Sequence, residues 1–159
     1  MKRSLIFIFL AAALSFGFSS CGDGAGSHGG KAVDNAISKD IDAATFKQML
    51  ADGKFTAIDI RKPKERYDDN IFKDLGKPYG FIPGTQLNID WENKTFMDEM
   101  EKLDKSKPYG IYCRSGNRSG KALRAMKGMG FKEVYNLDHG MKGWMKAGFE
   151  TEVVPKPAE

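Results

Sequence analysis

Short apolar runs of strand character alternate with helix-forming stretches from Val33 to Gly148, and this alternation restricts the fold more than any other feature. Val33 to Ser38 predicts a first strand. Asp42 is placed to cap a helix over Ala43 to Ala51, whose Phe46, Met49 and Leu50 share one face, and Asp52-Gly53 ends it. Phe55 to Ile60 reads as a buried strand, and Pro63 opens a short polar helical stretch, Lys64 to Tyr67. From Asp68 to Tyr79 periodic signals are few, which predicts a loop. Ile82-Pro83-Gly84 predicts a turn and Gln86 to Ile89 a short strand. Trp91 to Leu103 carries Phe96, Met100 and Leu103 on one helical face. Pro108 to Tyr112 predicts a strand, Ser119 to Met129 a helix closed by Gly130, Val134 to Leu137 a last strand, and Met141 to Ala147 a last helix holding Trp144. The expected result is an α/β sandwich with a mostly parallel central sheet, in one domain over residues 33–154, with a loose tail at 155–159.

The first twenty residues stand apart. Met1 to Ser4 is a short positive start, and Leu5 to Phe18 is an apolar run too short to span a bilayer comfortably. Ser19-Ser20 then precede Cys21, a pattern similar to a bacterial lipoprotein signal in which the cysteine is lipidated. An ordinary cleaved signal and an uncleaved anchor are the alternatives, and all three place the domain outside the cytoplasm. Residues 21–32 form a glycine-rich tether; its Gly22 to Gly30 stretch has a typical reach of roughly 15 to 18 Å, near a membrane surface without insertion. The formal charge of +4 includes Lys2 and Arg3; without them 23 cations face 21 carboxylates, too even a balance for nucleic-acid binding.

The two cysteines are Cys21 and Cys113. If Cys21 is lipidated, Cys113 is a lone thiol in an oxidising compartment, where an exposed thiol suggests use; an inert buried cysteine is the alternative. Cys113 opens the run Cys113-Arg114-Ser115-Gly116-Asn117-Arg118-Ser119, directly after a strand and before a helix. In a parallel sheet ligands lie beyond the carboxyl ends of strands, where this run falls. A tight strand-to-helix loop can turn successive N–H groups inward and adds the positive end of the helix, which stabilises a thiolate. Gly116 permits a tight backbone turn; Ser115, Asn117 and Ser119 can cap or brace the loop; Arg114 and Arg118 supply charge with fork geometry for an anion. His139 follows the last strand and is expected to be solvated. No spacing of ligand residues predicts a metal site, and no cofactor is expected.

On these residues the chain resembles single-domain rhodaneses. Asp59-Ile60-Arg61, the stretch with Pro63, Glu65 and Tyr67, Gly80 to Ile89, the Cys113 to Ser119 loop, and Val134 through Gly140, Trp144 and Gly148 are similar, in order, to that family's motifs. Phe81 stands where the family usually has His, which suggests loss of a polar tether at the domain rim. Asp68 to Tyr79 is longer than usual and is expected to alter the site entrance or a partner surface. The resemblance implies a three-layer sandwich with a central, mostly parallel five-stranded sheet. It implies Cys113 as a nucleophile that takes a sulfane sulfur from an anionic, thiosulfate-like donor and passes it to cyanide or a thiol. It implies Arg114, Ser115, Gly116, Asn117, Arg118 and Ser119 around the substrate, and Asp59 and Arg61 bracing the loop from beneath.

Partners expected on this reading are a small sulfur donor and a thiol or thioredoxin-like acceptor, with the membrane reached through the N-terminal lipid and no nucleic acid. A non-enzymatic persulfide carrier or interaction module is the alternative. A phosphatase or arsenate reductase is disfavoured, because four residues separate Cys113 from Arg118 where those enzymes have five. The lipidation expectation has a direct check. Expressed with its leader, the full chain should fractionate with membranes, and Cys21→Ala should not; an identical distribution of the two chains excludes lipidation.

Overall fold

The computed structural model describes residues 35–158. The expected leader, Cys21, the tether and the first residues of the expected first strand lie outside the described residues. Within them, strand β1 (Ile37–Ile41) precedes helix α1 (Ala43–Ala51), strand β2 (Thr56–Asp59) and a 3-10 turn over Pro63–Arg66. Strands β3 (Ile71–Phe72), β4 (Lys77–Pro78) and β5 (Leu87–Asn88) follow, then helix α2 (Phe96–Glu101), strand β6 (Pro108–Tyr112), helix α3 (Asn117–Gly128), strand β7 (Glu133–Leu137) and helix α4 (Gly140–Lys146). β1, β7, β6, β2 and β5 form one sheet in that order, and every pairing in it is parallel. The expected α/β architecture is therefore observed, with five parallel strands between two helical layers.

Side-chain alternation along the strands builds the two cores. Ile58, Tyr109, Ile111 and Val134 face α2 and α3, joining Phe96, Met100, Ala122 and Met126. Ala57, Tyr112, Tyr135 and Leu137 face α1 and α4, joining Phe46, Met141 and Trp144. Met126 of α3 and Met141 of α4 are fully buried. Asp42 caps α1 by accepting from the Thr45 amide at 2.8 Å.

Three elements differ from expectation. β1 starts later, at Ile37, because its pairing with β7 sets the register Ile37 to Glu133 through Ile41 to Leu137. The helix expected from Trp91 is only Phe96–Glu101. Asp90 and Asn93 accept from the Glu92 and Thr95 amides, and such side-chain bonds hold the backbone in turns that compete with helix. Trp91 packs instead edge-on against Phe96, 4.8 Å between ring centroids. The expected loop from Asp68 to Tyr79 holds the antiparallel hairpin β3–β4, pairing Ile71 with Pro78 and Phe72 with Lys77.

The end of the chain is partly tied down. The Phe81 and Glu152 backbones exchange hydrogen bonds, and Val154 both donates to Arg66 and accepts from Asp68. Phe81 is thus buried at 9% exposure rather than standing at a rim, and its ring lies under the Arg66 guanidinium at 3.9 Å. The polar tether expected to be lost with the usual His is replaced by backbone pairing and a cation–π contact.

Gly110 on β6 shows how tightly the α1–α4 layer packs. A Cβ there would run into the Phe55 ring, which already stacks on Phe46 at 4.8 Å. Gly110→Ala should lower stability by about 1–3 kcal/mol, read as a lower urea midpoint at unchanged m, and Phe55→Leu in the same chain should recover part of it.

Candidate active site

Tyr109 and Ile111 of β6 point toward α3, and the same parity sends the Cys113 side chain to the N-terminus of that helix. Three residues later the chain must reverse into α3, and Gly116 does this at φ 90° as the helix N-cap. The turn aims donors at the sulfur. The Gly116 amide donates to Cys113 Sγ at 3.2 Å and the Ser119 hydroxyl lies at 3.4 Å. Burial pushes the thiol pKa up. The Ser119 hydroxyl and the amides of Ser119, Ser115 and Gly116 outweigh it, and the net shift is downward.

Cys113 is 1% exposed, so the thiol is not the exposed one that would by itself suggest use. Its burial matches the alternative of a buried cysteine, but hydrogen-bond donors meet the sulfur on its α3 side. The other end of the residue is held by α4: the Met141 amide donates to the Cys113 carbonyl at 2.9 Å and the Lys142 amide to the Arg114 carbonyl at 3.0 Å. Gly140, at φ 53°, is required there, since a Cβ would collide with the Cys113 carbonyl. His139 is strongly exposed and pairs with Asp138 at 3.3 Å, consistent with a solvated position.

The remaining loop residues divide by role. Ser119 is buried against the sulfur, and its one hydroxyl proton is shared between Cys113 Sγ and the Gly116 carbonyl 3.3 Å away. Ser115 contributes its amide. Asn117 is exposed and makes no side-chain hydrogen bond. Arg118 is committed to Glu65 through two contacts, Nη1–Oε1 at 2.7 Å and Nη2–Oε2 at 3.0 Å. Arg114 has no carboxylate partner; its guanidinium lies 5.8 Å from the Phe72 ring centroid. The expected pair of anion-binding arginines is thus unequal, one neutralised and one available.

Beneath the loop, Asp59 and Arg61 form a fully buried ion pair at 2.6 Å. Burial disfavours the Arg61 cation, but its contacts with Asp59, together with nearby Glu65 and Tyr112, raise its pKa on balance. Arg61 also donates to the Gly80 carbonyl at 2.6 Å and reaches the Glu65 carbonyl at 3.5 Å. Asn88 fixes the same strand end by donating to the Asp59 and Arg61 carbonyls, each at 2.8 Å. Glu65 joins this pair to the loop: Arg61 reaches its carbonyl, and its carboxylate pairs with Arg118.

A cleft of about 490 Å³ opens above the loop, lined by Arg114, Ser115, Asn117 and Arg118 on one side and by Lys62, Lys64, Glu65, Asn70, Phe72 and Glu92 on the other. Glu92 pairs with Lys62 at 2.9 Å. A larger groove of about 630 Å³, lined by Leu50, Pro83, Trp144 and Phe149 among others, lies away from Cys113. Among the described residues no cluster of His, Cys, Asp and Glu has the arrangement to hold a metal.

Glu65, Glu92, Lys62, Lys64 and Phe72 were not among the expected site residues. Glu65 lies 53 positions from Arg118, and no local pattern joins the two. A sequence clue existed only in the Pro63 to Tyr67 motif, which says that the stretch matters without saying what it meets.

This geometry agrees with comparison to known proteins. Residues 42–147 match the rhodanese-like domain, and the chain belongs to that family. It is 33% identical over 119 residues to the putative sulfurtransferase YtwF of Bacillus subtilis, covering 74% of this chain and 96% of that protein. It is 31% identical over 110 residues to a sulfurtransferase of Allochromatium vinosum, covering 69% and 90%. The crystal structure of a rhodanese-related protein from Thermoplasma volcanium superposes with a TM-score of 0.57 at 23% identity, over 74% of this chain and 99% of that one, a likeness of fold.

The thiolate geometry predicts a titration. Alkylation of Cys113 by iodoacetamide should show a pH midpoint below that of an ordinary cysteine, because the donors favour the charged sulfur. Ser119→Ala removes the hydroxyl donor and should move that midpoint upward. An unmoved midpoint would show that the hydroxyl does not stabilise the thiolate.

Proposed function

We propose that the domain is a sulfurtransferase that moves a sulfane sulfur from an anionic donor of the thiosulfate type through a Cys113 persulfide to an external nucleophile. The observation that carries this reading is the set of donors converging on Cys113 Sγ, with the Gly116 amide at 3.2 Å and the Ser119 hydroxyl at 3.4 Å. The relatives named as sulfurtransferases support the same chemistry.

The reaction on this reading has two displacements. The Cys113 thiolate attacks the outer sulfur of thiosulfate, a new S–S bond forms, and sulfite leaves with the electron pair of the broken bond. The anionic persulfide remains where the amides of Ser115, Gly116 and Ser119 meet it, so the donors that favour the thiolate also favour its sulfur-loaded form. An acceptor thiolate or cyanide then attacks the outer sulfur and Cys113 leaves as thiolate. Each step exchanges one sulfur bond for another, and no general base is needed while the thiolate is already formed.

Arg114 is the donor-binding cation, since it borders the cleft and has no carboxylate partner. Arg118 is a positioning residue, because Glu65 occupies both arms of its fork. A phosphatase is a poorer fit, for its arginine must be free to grip a tetrahedral phosphate. The small exposure of Cys113 favours a slow hand-off, which a persulfide carrier would show. The N-terminal signal pattern supports a lipid-anchored domain outside the cytoplasm.

Incubation with thiosulfate should raise the intact mass by one sulfur atom, and Cys113→Ser should abolish both the mass gain and turnover to cyanide. Arg114→Ala should raise KM for thiosulfate about tenfold with a smaller change in kcat, the loss of one charge-assisted contact. Activity surviving Cys113→Ser would remove the reading, and an unchanged KM in Arg114→Ala would remove the role of that arginine. Loading without turnover to any acceptor would identify a carrier.

A further inference from the structure

The β3–β4 hairpin stands apart from the main sheet and borders the catalytic loop. Phe72 lies between Arg114, at 5.8 Å, and Tyr79, whose ring centroid is 4.0 Å away. Its outer surface sets two apolar side chains among the exposed Lys73, Asp74 and Lys77, where a small insertion has no packing need for them. Ile71 is 54% exposed and Leu75 37%, two of the five large exposed hydrophobic side chains among the described residues. Neither contributes to either core. Scattered apolar side chains on a surface are ordinary, but two on one short hairpin beside a reactive centre are not scattered.

Charge flanks the hairpin on both sides. The cleft over the catalytic loop presents Lys62, Lys64, Arg114 and Arg118 against two carboxylates, Glu65 and Glu92. On the far side of the hairpin a second cleft of about 400 Å³ presents Lys77, Lys142 and Lys146 against Asp74 alone. The hairpin thus places two exposed apolar side chains, Ile71 and Leu75, between two clefts of excess positive charge. A surface with an apolar centre and a rim of one sign fits a partner with an apolar patch and carboxylates around it.

The chemistry says what such a partner must carry. Cys113 is the only cysteine among the described residues, so no thiol of the domain can take sulfur from its persulfide. We infer that the β3–β4 hairpin is the docking ridge for an acidic protein that brings the acceptor cysteine. This inference rests on the sulfurtransferase reading for the identity of the transferred group, while the docking itself rests on Ile71, Leu75 and the two basic clefts. In the transfer the partner thiolate attacks the outer sulfur of the Cys113 persulfide. A sulfur–sulfur bond forms on the partner, the bond to Cys113 Sγ breaks, and Cys113 keeps the electron pair as thiolate. No oxidant or reductant is consumed.

Two measurements separate docking from chemistry. The probes are short synthetic peptides holding a central cysteine flanked by leucine and glutamate, and a twin with lysine in place of glutamate. In the first measurement the central cysteine is replaced by serine, a dye is attached, and binding to the full chain with Cys113 intact is read by fluorescence anisotropy. The glutamate peptide should bind at least about tenfold more tightly than the lysine peptide at low ionic strength, with the gap closing as salt rises. Ile71→Ser with Leu75→Ser, and separately Lys77→Glu with Lys146→Glu, should each erase most of that advantage. Lys54→Glu with Lys127→Glu, the same charge change away from both clefts, should not. In the second measurement the thiosulfate-loaded protein transfers sulfur to the cysteine peptides. The glutamate peptide should react faster in the parent chain, and the hairpin variants should lose that preference while turnover to cyanide is kept. Equal binding of the two peptides, or a preference that survives the hairpin variants, overturns the inference. Failure to load sulfur removes the sulfurtransferase reading and leaves the anisotropy result to decide docking alone.

Discussion

Both ends of one residue are held by two helices, and the site depends on that. The sulfur of Cys113 faces the first turn of α3, and its carbonyl accepts from the first turn of α4. The two helices follow neighbouring strands, β6 and β7, of a parallel sheet. Parallel order is what brings two helix starts to the same edge of a sheet, and an antiparallel arrangement would send one of them to the far side. Gly140 is part of the same constraint, because only a residue without Cβ lets the α4 turn close on the Cys113 carbonyl.

The electrostatics of the site are arranged in layers. Lowest is the Asp59–Arg61 pair, fully buried, where removal of either partner would strand a charge at a cost of about 3–5 kcal/mol. Above it, Glu65 links that pair to Arg118. At the top, Arg114 and Lys64 face the cleft without carboxylate partners, so charge left over for a ligand is confined to the mouth. A buried network can hold geometry because its members satisfy one another, while the unpaired cations at the rim keep their attraction for an incoming anion. Tyr112 belongs to the supporting layer as well: its hydroxyl meets the Ile82 amide at 3.3 Å and Thr85 at 3.0 Å, and burial drives its pKa upward.

Burial and reactivity are not opposed in this domain. An apolar surround alone would raise the thiol pKa and make Cys113 inert. Four hydrogen-bond contributions from Ser119, Ser115 and Gly116 reverse that tendency while keeping water away from the sulfur. Exclusion of water also strengthens each of those contacts.

The strands at Phe55, Pro108 and Val134, the helix after Asp42 and the helix ended by Gly130 were legible in the sequence, because periodicity, caps and glycine stops are local properties. The position of Cys113 at a strand end, beside a glycine that permits a sharp turn, was legible for the same reason. The β3–β4 hairpin was not, since two-residue strands are too short for alternation to register. The short α2 was missed because Asp90 and Asn93 turned the backbone ahead of a pattern that looked helical.

Residue order alone determined which thiol could react and which loop would present it, since both depend on neighbours in the chain. Tertiary structure alone decided that Arg118 would be spent on Glu65, that Arg114 would stay available, and that Phe72 would border the site. Those outcomes join residues dozens of positions apart, and only the packing of parallel strands brings such distant charges to within a hydrogen bond of one another.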